Sequence, residues 1–136
     1  MKLKWRSYSA LTKGELYQLL NLRQQVFVVE QDCPFVDADF RDQDCDHLLA
    51  YEDSKLVGYL RVGKPGKRYN GPEIGRVVTR ESIRRQGLGK ILTEEAINFC
   101  ARKYLLYPPN NSSPPSPVNA TVTFFFANPE INVVGI

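Results

Sequence analysis

The segment 74–92 constrains this chain most, because three local patterns follow one another there in a fixed order. Residues 73–79 predict a buried strand. A short basic stretch with Gly87 and Gly89 follows, and a helical pattern of apolar residues begins at Leu88. A strand that leads through a glycine-containing turn into a helix presents unpaired backbone N–H groups at the positive end of the helix dipole. The segment therefore predicts a site for a phosphate-bearing ligand.

Two common phosphate-binding loops do not fit this segment. A P-loop requires a glycine five residues before Gly89 and a Ser or Thr after the lysine, but the chain has Arg84 and Ile91 at those positions. A dinucleotide-binding loop requires a third glycine where Leu92 stands, and an acidic residue about 20 positions further on. The pattern that remains is Arg84-x-x-Gly87-x-Gly89 after a strand.

Length and charge narrow the class of protein. The chain has 136 residues, enough for one domain with a hydrophobic core. Its net charge is +3, with acidic residues concentrated in 30–53 and basic residues in 61–90. Such a basic surface suits a nucleotide-like cofactor or a nucleic acid, and composition leaves both open. The chain has no long apolar run, no apolar signal region and only three cysteines, so we expect a reduced, cytoplasmic protein that does not enter a membrane.

Apolar spacing predicts the order of the secondary-structure elements. Thr12 and Glu15 have the spacing of a capping box, and a stripe of apolar residues at helical spacing follows them. In chain order we predict a strand over 3–6, a helix over 13–29, strands over 47–51 and 55–62, a strand over 73–79, a helix from 88 to 104 and a strand over 118–126.

The glycine pattern resembles the acyl-CoA-binding signature of the GNAT superfamily of N-acetyltransferases, Gln/Arg-x-x-Gly-x-Gly/Ala. A six-residue motif is weak by itself. Further blocks look like the ElaA-type branch of that superfamily and occur in the same order, at 22–37, 46–50, 58–61 and 74–78. The resemblance covers residues 3 to 104, and on these blocks the chain is identified as a member of this superfamily.

The resemblance implies an α/β (α+β) fold, in which helices flank a mixed, strongly twisted sheet and the cofactor enters where neighbouring strands splay apart. It implies acetyl-CoA as co-substrate and no metal. The pyrophosphate would rest on N–H groups of the basic loop, and the pantetheine amides would pair with the open strand edge like an added strand. The cofactor-binding residues that it implies are Val77, Val78, Thr79, Arg84, Arg85, Gln86, Gly87, Leu88, Gly89 and Lys90.

Catalysis in this family is direct attack of an amine on the thioester. The resemblance makes the backbone N–H of Val78 the expected donor to the oxyanion, and Glu73 the expected base, acting through a water. Phe27, Glu30 and His47 are the candidate substrate contacts. The alternatives are a solvated carboxylate at Glu73 and an internally hydrogen-bonded imidazole at His47.

The acidic stretch after the first helix has two interpretations. Its carboxylates either attract a cationic amine or form a solvated face. We expect no metal there, because Cys33, Cys45 and His47 lack the paired short spacings of a zinc site.

The resemblance ends before the last part of the chain. We divide the sequence into a GNAT-like core over 1–107 and a segment over 108–136, with a Pro/Asn/Ser-rich linker and atypical terminal strands of the same domain. The family's further helix carries the tyrosine proposed as general acid, but no tyrosine follows Tyr107. We therefore expect the closing strands to be incomplete, and a homodimer to cover the apolar sheet edge that this would leave.

Two functions stay open at this point. The first is an acetyl-CoA-dependent N-acetyltransferase that acts on an amine of a small molecule or a protein. The second is a catalytically impaired acyl-CoA-binding protein with a truncated C-terminal half. A nucleic-acid partner is not expected, because no pattern of stacking aromatics accompanies the basic loop.

Overall fold

The elements follow one another along the chain much as the apolar spacing predicts. The computed structural model describes residues 1–66, 71–105 and 123–124. Its elements are β1 (Lys2–Ser7), α1 (Lys13–Arg23), β2 (Cys45–Glu52), β3 (Lys55–Gly63), β4 (Glu73–Thr79), α2 (Leu88–Cys100) and β5 (Thr123–Phe124), with π-helical segments at Gln24–Glu30 and Ala101–Leu105 that continue the two helices.

One sheet contains all five strands, in the order β1-β2-β3-β4-β5. Neighbours from β1 to β4 are antiparallel, whereas β5 pairs in parallel with β4, through Glu73 with Thr123 and Ile74 with Phe124. The sheet is therefore mixed, as predicted. The remainder of the predicted strand over 118–126, and the division of the chain at residue 107, lie outside the described residues.

The first helix begins where the sequence predicts it. Thr12 Oγ1 accepts from the Glu15 N–H over 3.0 Å, and Glu15 Oε1 accepts from the Thr12 N–H over 2.9 Å, which completes the capping box. The helical path continues past Arg23 to Glu30, so its predicted length is confirmed, but from Gln24 onward it is π-helical. Apolar periodicity does not distinguish the two helix types.

The helices pack on opposite faces of the sheet. Leu88, Leu92, Ala96 and Cys100 of α2 pack in one buried cluster, while Leu19 and Leu22 of α1 pack in the other. Gly58 of β3 lets α2 approach closely. A Cβ at that position would lie 2.9 Å from both Leu88 Cδ2 and Leu92 Cδ1.

Strand β4 contains a β-bulge that divides it into two parts. Tyr59 pairs with Val78 and Arg61 with Gly75, so β4 has one residue more than β3 between these pairs. Within the extra stretch, Arg76 has a φ of 52°. Ile74 packs in the α2-side cluster and Val78 in the α1-side cluster, although an even spacing would place them on one face. The bulge therefore reverses the alternation along β4.

Candidate functional site

Among the described residues, the outer edge of β4 has a neighbouring strand only along its first two residues, and we call the rest, from Gly75 to Thr79, the open edge. The pairing with β5 involves Glu73 and Ile74, and no other described strand lies along the edge from Gly75 to Thr79. Within the described residues, the pairing covers only the two residues before the bulge. An extended amide-containing ligand can add to such an edge as a further strand.

The direction of the backbone groups along this edge follows from one hydrogen bond. The Arg80 N–H donates to the Val57 carbonyl over 2.8 Å, so the backbone of Arg80 faces β3. Because these groups alternate along a strand, the N–H of Val78 also faces β3, whereas those of Val77 and Thr79 face the open side. Val78, predicted as the oxyanion donor, is directed away from the open edge. The donor role of Val78 stays a prediction, and the neighbouring N–H that faces the open edge is that of Val77.

The N-terminus of α2 lies one short loop beyond this edge and has no internal cap. Gly87 occupies the N-cap position, no side chain caps the helix, and its first turn contains no acidic residue. The early N–H groups are those of Leu88, Gly89 and Lys90, and the first intrahelical bond runs from the Ile91 N–H to the Gly87 carbonyl. By contrast, α1 satisfies its first turn with Thr12 and Glu15. An uncapped helix start of this kind favours an anion.

The two signature glycines are present for different reasons. Gly87 has a φ of 84°, in the left-handed region that glycine favours. Gly89 has no such φ, and no described atom lies within 4 Å of the Cβ that a larger residue would add. Neither the backbone nor packing among the described residues requires a glycine at position 89. A glycine at position 89 instead leaves the space next to the N–H groups of the first helical turn free for a ligand.

Arg84, predicted to lie near the phosphates, makes internal contacts. Its Nε and Nη2 donate to the Thr79 carbonyl over 3.1 and 2.9 Å. Its Nη2 also donates to Glu30 Oε2 over 2.9 Å, and its Nη1 is paired with Glu30 Oε1. The Glu30 carboxylate raises the pKa of Arg84 further. Arg84 therefore holds the loop against β4, and Glu30, a predicted substrate contact, is its ion-pair partner.

Positive charge at the loop surface comes from Arg85 and Lys90. Both side chains are exposed, as is Gln86. Arg85, in a left-handed conformation with φ 67°, makes no ion pair with the described residues. Lys90 lies 3.9 Å from Glu94 in an exposed pair, which is a weak contact. These two cations, together with the N–H groups of the helix start, are available to a phosphate.

The side chain of Glu73 is largely buried and ion-paired. Arg41 Nη1 and Nη2 reach Glu73 Oε1 and Oε2 over 3.3 and 2.9 Å. Both carboxylate oxygens are thus engaged, which differs from the solvated strand-end carboxylate considered as its alternative. A role as base would require Glu73 to act through a water, as the sequence interpretation specifies.

Two predicted substrate contacts lie in the interior. Phe27 is 2% exposed and packs in the α1-side cluster. His47 is fully buried, with Nε2 2.9 Å from the Asp42 carbonyl and Nδ1 2.7 Å from the Tyr59 hydroxyl. Because a carbonyl only accepts, Nε2 carries the proton and Nδ1 accepts from Tyr59. In this arrangement neither Phe27 nor His47 is presented to a substrate, since core packing and satisfied hydrogen bonds occupy them.

In the acidic loop after the first helix, Asp37, Asp39 and Asp42 neither form a solvated face nor stand free to attract a cationic amine. Their carboxylates are paired with arginines from α1, β3 and β4. Burial would raise the pKa of Asp42, but Arg23 and Arg61 outweigh that effect and lower it. The pKa of Asp39 is likewise lowered, with burial opposing and Arg61 prevailing. The ion pairs are Arg23 with Asp37 and Asp42, Arg61 with Asp39 and Asp42, and Arg76 with Asp37 and Asp39.

Sequence reasoning missed these arginines as site-building residues. Arg23 lies within the apolar stripe of the predicted helix, and Arg61 within a predicted buried strand. A charged residue on a buried face requires a buried partner, and the acidic stretch was available to supply it. An arginine on a predicted buried face, with an acidic stretch elsewhere in the chain, is therefore the sequence signal that predicts these ion pairs.

The described ranges contain neither a metal-binding cluster nor a membrane-spanning helix. No group of three or more His, Cys, Asp or Glu side chains there has a metal-binding arrangement. None of the helices in these ranges combines the length and apolar character needed to cross a bilayer.

Comparison with known proteins identifies the class. The chain matches the acetyltransferase (GNAT) family over residues 15–113, and it belongs to that family. It is 38% identical over 101 residues to a UPF0039 protein of Synechocystis sp., covering 74% of this chain and 66% of that protein. It is 35% identical over 106 residues to the protein ElaA of Escherichia coli, covering 75% and 69%. The chain thus spans about two thirds of the length of these relatives.

Solved structures support the same assignment. An acyl-CoA N-acyltransferase from Pseudomonas aeruginosa is 42% identical, with a TM-score of 0.74 over 76% of this chain and 71% of that one. Escherichia coli ElaA is 34% identical, with a TM-score of 0.70 over 76% and 72%. A more distant structure, an aminoglycoside 6'-N-acetyltransferase complexed with coenzyme A, shares the fold at 17% identity and a TM-score of 0.58, over 75% and 56%. The predicted GNAT-like fold and ElaA-like relationship are confirmed.

Proposed function

We propose that this protein transfers an acetyl group from acetyl-CoA to an amine of a small molecule or a protein. The observation that carries the proposal is the placement of an uncapped helix start, at Gly87 to Lys90, one loop beyond the part of β4 along which no other described strand lies. Together they offer an anion site and a strand edge, which are the two features that a pyrophosphate followed by an amide-containing arm requires. Membership of the GNAT family supports acyl-CoA as the co-substrate.

In this proposal the cofactor is held by main chain more than by side chains. The N–H groups of Leu88, Gly89 and Lys90 would bind the pyrophosphate, with Arg85 and Lys90 adding charge. The N–H groups of Val77 and Thr79 would face the pantetheine arm and the thioester. The distant aminoglycoside acetyltransferase, crystallised with coenzyme A, shares the fold that this arrangement uses.

The proposed reaction is nucleophilic acyl transfer. A neutral amine attacks the thioester carbonyl carbon, and the carbonyl oxygen becomes an oxyanion that the N–H of Val77 stabilises. Collapse of this intermediate breaks the carbon–sulfur bond and releases CoA as its thiolate, which takes a proton from solvent. The ammonium proton of the tetrahedral intermediate passes to a water, with Glu73 beyond it. The products are the acetylated amine and CoA.

The alternative is an acyl-CoA-binding protein without turnover. One observation favours it: residues 108–136 contain no tyrosine, whereas the family resemblance places the acid for the thiolate on a tyrosine in a helix after the cofactor helix. Binding and turnover therefore require separate measurements.

Calorimetric titration with acetyl-CoA tests the binding step. We expect saturable heat and a rise in Tm, because a ligand that binds only the folded state stabilises it. Absence of both at millimolar acetyl-CoA would overturn the proposal. Competition with a random oligonucleotide provides the control for the basic loop: a nucleic-acid site would lose affinity steeply with salt, and CoA would not displace the oligonucleotide.

Thiol release across a panel of amines tests turnover. The panel would contain small diamines, aminoglycosides and peptides with free N-termini, each compared with a no-amine blank. Release above the blank supports the transferase, whereas silence across the panel with intact acetyl-CoA binding supports the non-catalytic alternative.

The proposal includes a cellular location and an oligomeric state. A cytoplasmic location accords with the three cysteines, which are all free thiols. A homodimer that covers the C-terminal sheet edge would appear as twice the chain mass in light scattering, and a monomer at micromolar concentration would contradict it.

A further inference from the structure

Two arginines bind Asp37 through the same pair of atoms, Nε and Nη2. Arg23 Nε lies 2.7 Å from Asp37 Oδ2, and Arg76 Nε lies 2.8 Å from Asp37 Oδ1. The Nη2 atom of each arginine also donates to the main-chain oxygen of Asp37, over 3.1 Å in both cases. Each oxygen of the carboxylate thereby accepts a hydrogen bond from one arginine. Asp37 connects the end of α1 to the bulge in β4.

The backbone conformation of Arg76 is unfavourable for an arginine, which indicates that the contacts of its side chain compensate for the strain. Its φ of 52° lies in the left-handed region, where glycine meets no steric penalty and an arginine does. A glycine would suit this backbone better, yet an arginine occupies it and uses its Nε and Nη2 to bind Asp37. The same guanidinium lies 5.9 Å from the ring centroid of Phe35, which further limits its movement.

The bulge decides which N–H groups the cofactor would meet. Downstream of it, the backbones of Val78 and Arg80 face β3, and those of Val77 and Thr79 face the open edge. If the extra residue were absorbed into a regular ladder, the alternation would slip by one and Val78 would face outward instead. Whatever fixes the bulge therefore fixes the donor offered to the thioester.

We propose that Arg76 is a positioning residue of the acyl-transfer site: by binding Asp37 it fixes the β4 bulge, so that the N–H of Val77 is directed at the acyl carbonyl. This inference rests on the proposed function, because it assumes that acetyl-CoA lies along β4. It makes the position of the Val77 N–H depend on the Arg76 side chain, which would not itself touch the reacting atoms.

The choice of variant follows from burial. Arg23 is fully buried and relies on Asp37 and Asp42 as partners, so changes at Asp37 leave an uncompensated buried charge and threaten the fold. The Arg76 side chain is 21% exposed, and Asp37 keeps Arg23 when Arg76 is removed. Arg76→Gly removes the side chain and relieves the backbone at the same time. Arg76→Lys keeps the charge but loses the two-pronged contact.

The experiment measures the bound thioester directly. Acetyl-CoA labelled with ¹³C at the acetyl carbonyl is bound to the wild type and to Arg76→Gly, and the carbonyl stretch is recorded by infrared difference spectroscopy. Titrations with acetyl-CoA and with CoA accompany it. Ser54→Gly is the matched control, because Ser54 also has a positive φ, of 69°, but lies in the β2–β3 turn.

We expect Arg76→Gly to keep a Tm close to that of the wild type. It should lose much of the downshift of the carbonyl stretch and bind acetyl-CoA about fivefold more weakly relative to CoA, the equivalent of one hydrogen bond. Arg76→Lys should recover part of both effects, and Ser54→Gly should change neither.

Three results would count against the inference, and they are distinguishable. An Arg76→Gly variant with wild-type carbonyl stretch and wild-type affinity overturns the positioning role. Equal losses for CoA and acetyl-CoA together with a lower Tm would make Arg76 merely structural, which also overturns it. If the wild type itself fails to bind acetyl-CoA, the proposed function fails first and this inference with it.

Discussion

Arg84 binds the carbonyl oxygen of Thr79 through two donors, Nε at 3.1 Å and Nη2 at 2.9 Å. The same guanidinium is ion-paired with Glu30 at the end of the π-helical segment. One side chain thus joins the start of the signature loop, the end of β4 and the helix that packs on the α1 side of the sheet. The first position of the motif acts here as a structural connection within the protein.

This connection predicts a difference between two variants. Arg84→Ala removes every contact and should lower Tm and weaken acetyl-CoA binding, because the loop is no longer fixed to β4. Glu30→Gln removes only a half-exposed ion pair and should cost about 0.5 kcal/mol, with little effect on binding. Thermal denaturation and calorimetry of both variants test this. Equal effects of the two variants would contradict it.

The pH dependence of the Glu30 contact has a definite sign. The hydrogen bond from Arg84 lowers the pKa of Glu30, with burial opposing. The stabilisation is therefore present above the ordinary glutamate range and is lost as pH falls through the lowered pKa. The difference in Tm between wild type and Glu30→Gln should accordingly shrink below about pH 4. A difference that stays constant down to pH 3 would exclude the ion pair as its origin.

The two signature glycines should respond oppositely to alanine. Gly89 lies in the first turn of α2 with space for a Cβ. Gly89→Ala should therefore leave the free energy of unfolding unchanged or raise it by up to about 1 kcal/mol. The same variant should weaken acetyl-CoA binding. Gly87 has a φ of 84°, so Gly87→Ala should destabilise the fold by about 1 kcal/mol. Gly89→Trp should abolish binding in a folded protein. Unchanged acetyl-CoA affinity in Gly89→Trp would place the ligand elsewhere.

The sequence predicted what depends on local pattern. The Thr12–Glu15 capping box, the extent of the first helix and the strand at Glu73–Thr79 all follow from spacing and propensity, and the structure contains them. The helix start at Gly87 likewise follows from a strand, a turn and a helix in sequence order, and its use as an anion site stays a prediction.

The features that the sequence did not predict depend on register and on distant partners. Nothing local in residues 73–79 indicates an extra residue opposite β3, so the sequence does not show that the N–H of Val77, and not that of Val78, faces the outer edge of β4. Similarly, the roles of Arg84 and of the acidic loop depend on contacts across 14 to 54 residues of chain. Charge pairing of this kind appears only once the strands are in place.

The close approach of α2 to β3 predicts a packing defect at Gly58. A Cβ there would lie 2.9 Å from Leu88 Cδ2 and Leu92 Cδ1, and 3.5 Å from Ala50 Cβ. Gly58→Ala should therefore destabilise the fold by about 1–3 kcal/mol, the usual cost of overpacking. Because Leu88 begins the helix that would bind the pyrophosphate, acetyl-CoA affinity should fall as well. Chemical denaturation measures the first effect, and Gly14→Ala, at an open helix position, provides the control.

Thiol accessibility tests the arrangement of the core. Cys33 is exposed, whereas Cys45 and Cys100 are buried. Burial raises the pKa of Cys45 to about 11 and that of Cys100 to about 12, so neither is a reactive thiolate near neutral pH. A thiol reagent should therefore label one of the three cysteines in the native protein and all three after denaturation. Cys33→Ser should abolish the native labelling; fast labelling that persists in this variant would contradict the buried positions.

His47 gives the last prediction, since it is the single histidine of the chain and its imidazole can be followed alone by NMR. Burial lowers its pKa from 6.5, and the Asp42 carbonyl opposes that shift without overcoming it. The folded state therefore resists protonation, whereas the unfolded chain takes up a proton near pH 6.5. Stability is accordingly unaffected by this group above that pH and falls as pH drops below it.

The measurement combines the imidazole titration with Tm between pH 7.5 and 5. The His47 signals should retain the neutral form with the proton on Nε2 well below pH 6.5. The Nε2–H group donates a hydrogen bond to the main-chain carbonyl of Asp42, and the Tyr59 hydroxyl donates one to Nδ1. Tyr59→Phe removes the donor to Nδ1 and should cost about 1–3 kcal/mol in stability, since it leaves that buried atom unsatisfied. A midpoint at or above 6.5 in the native protein would mean that the imidazole is accessible to solvent, and would return His47 to the set of residues that a substrate can reach.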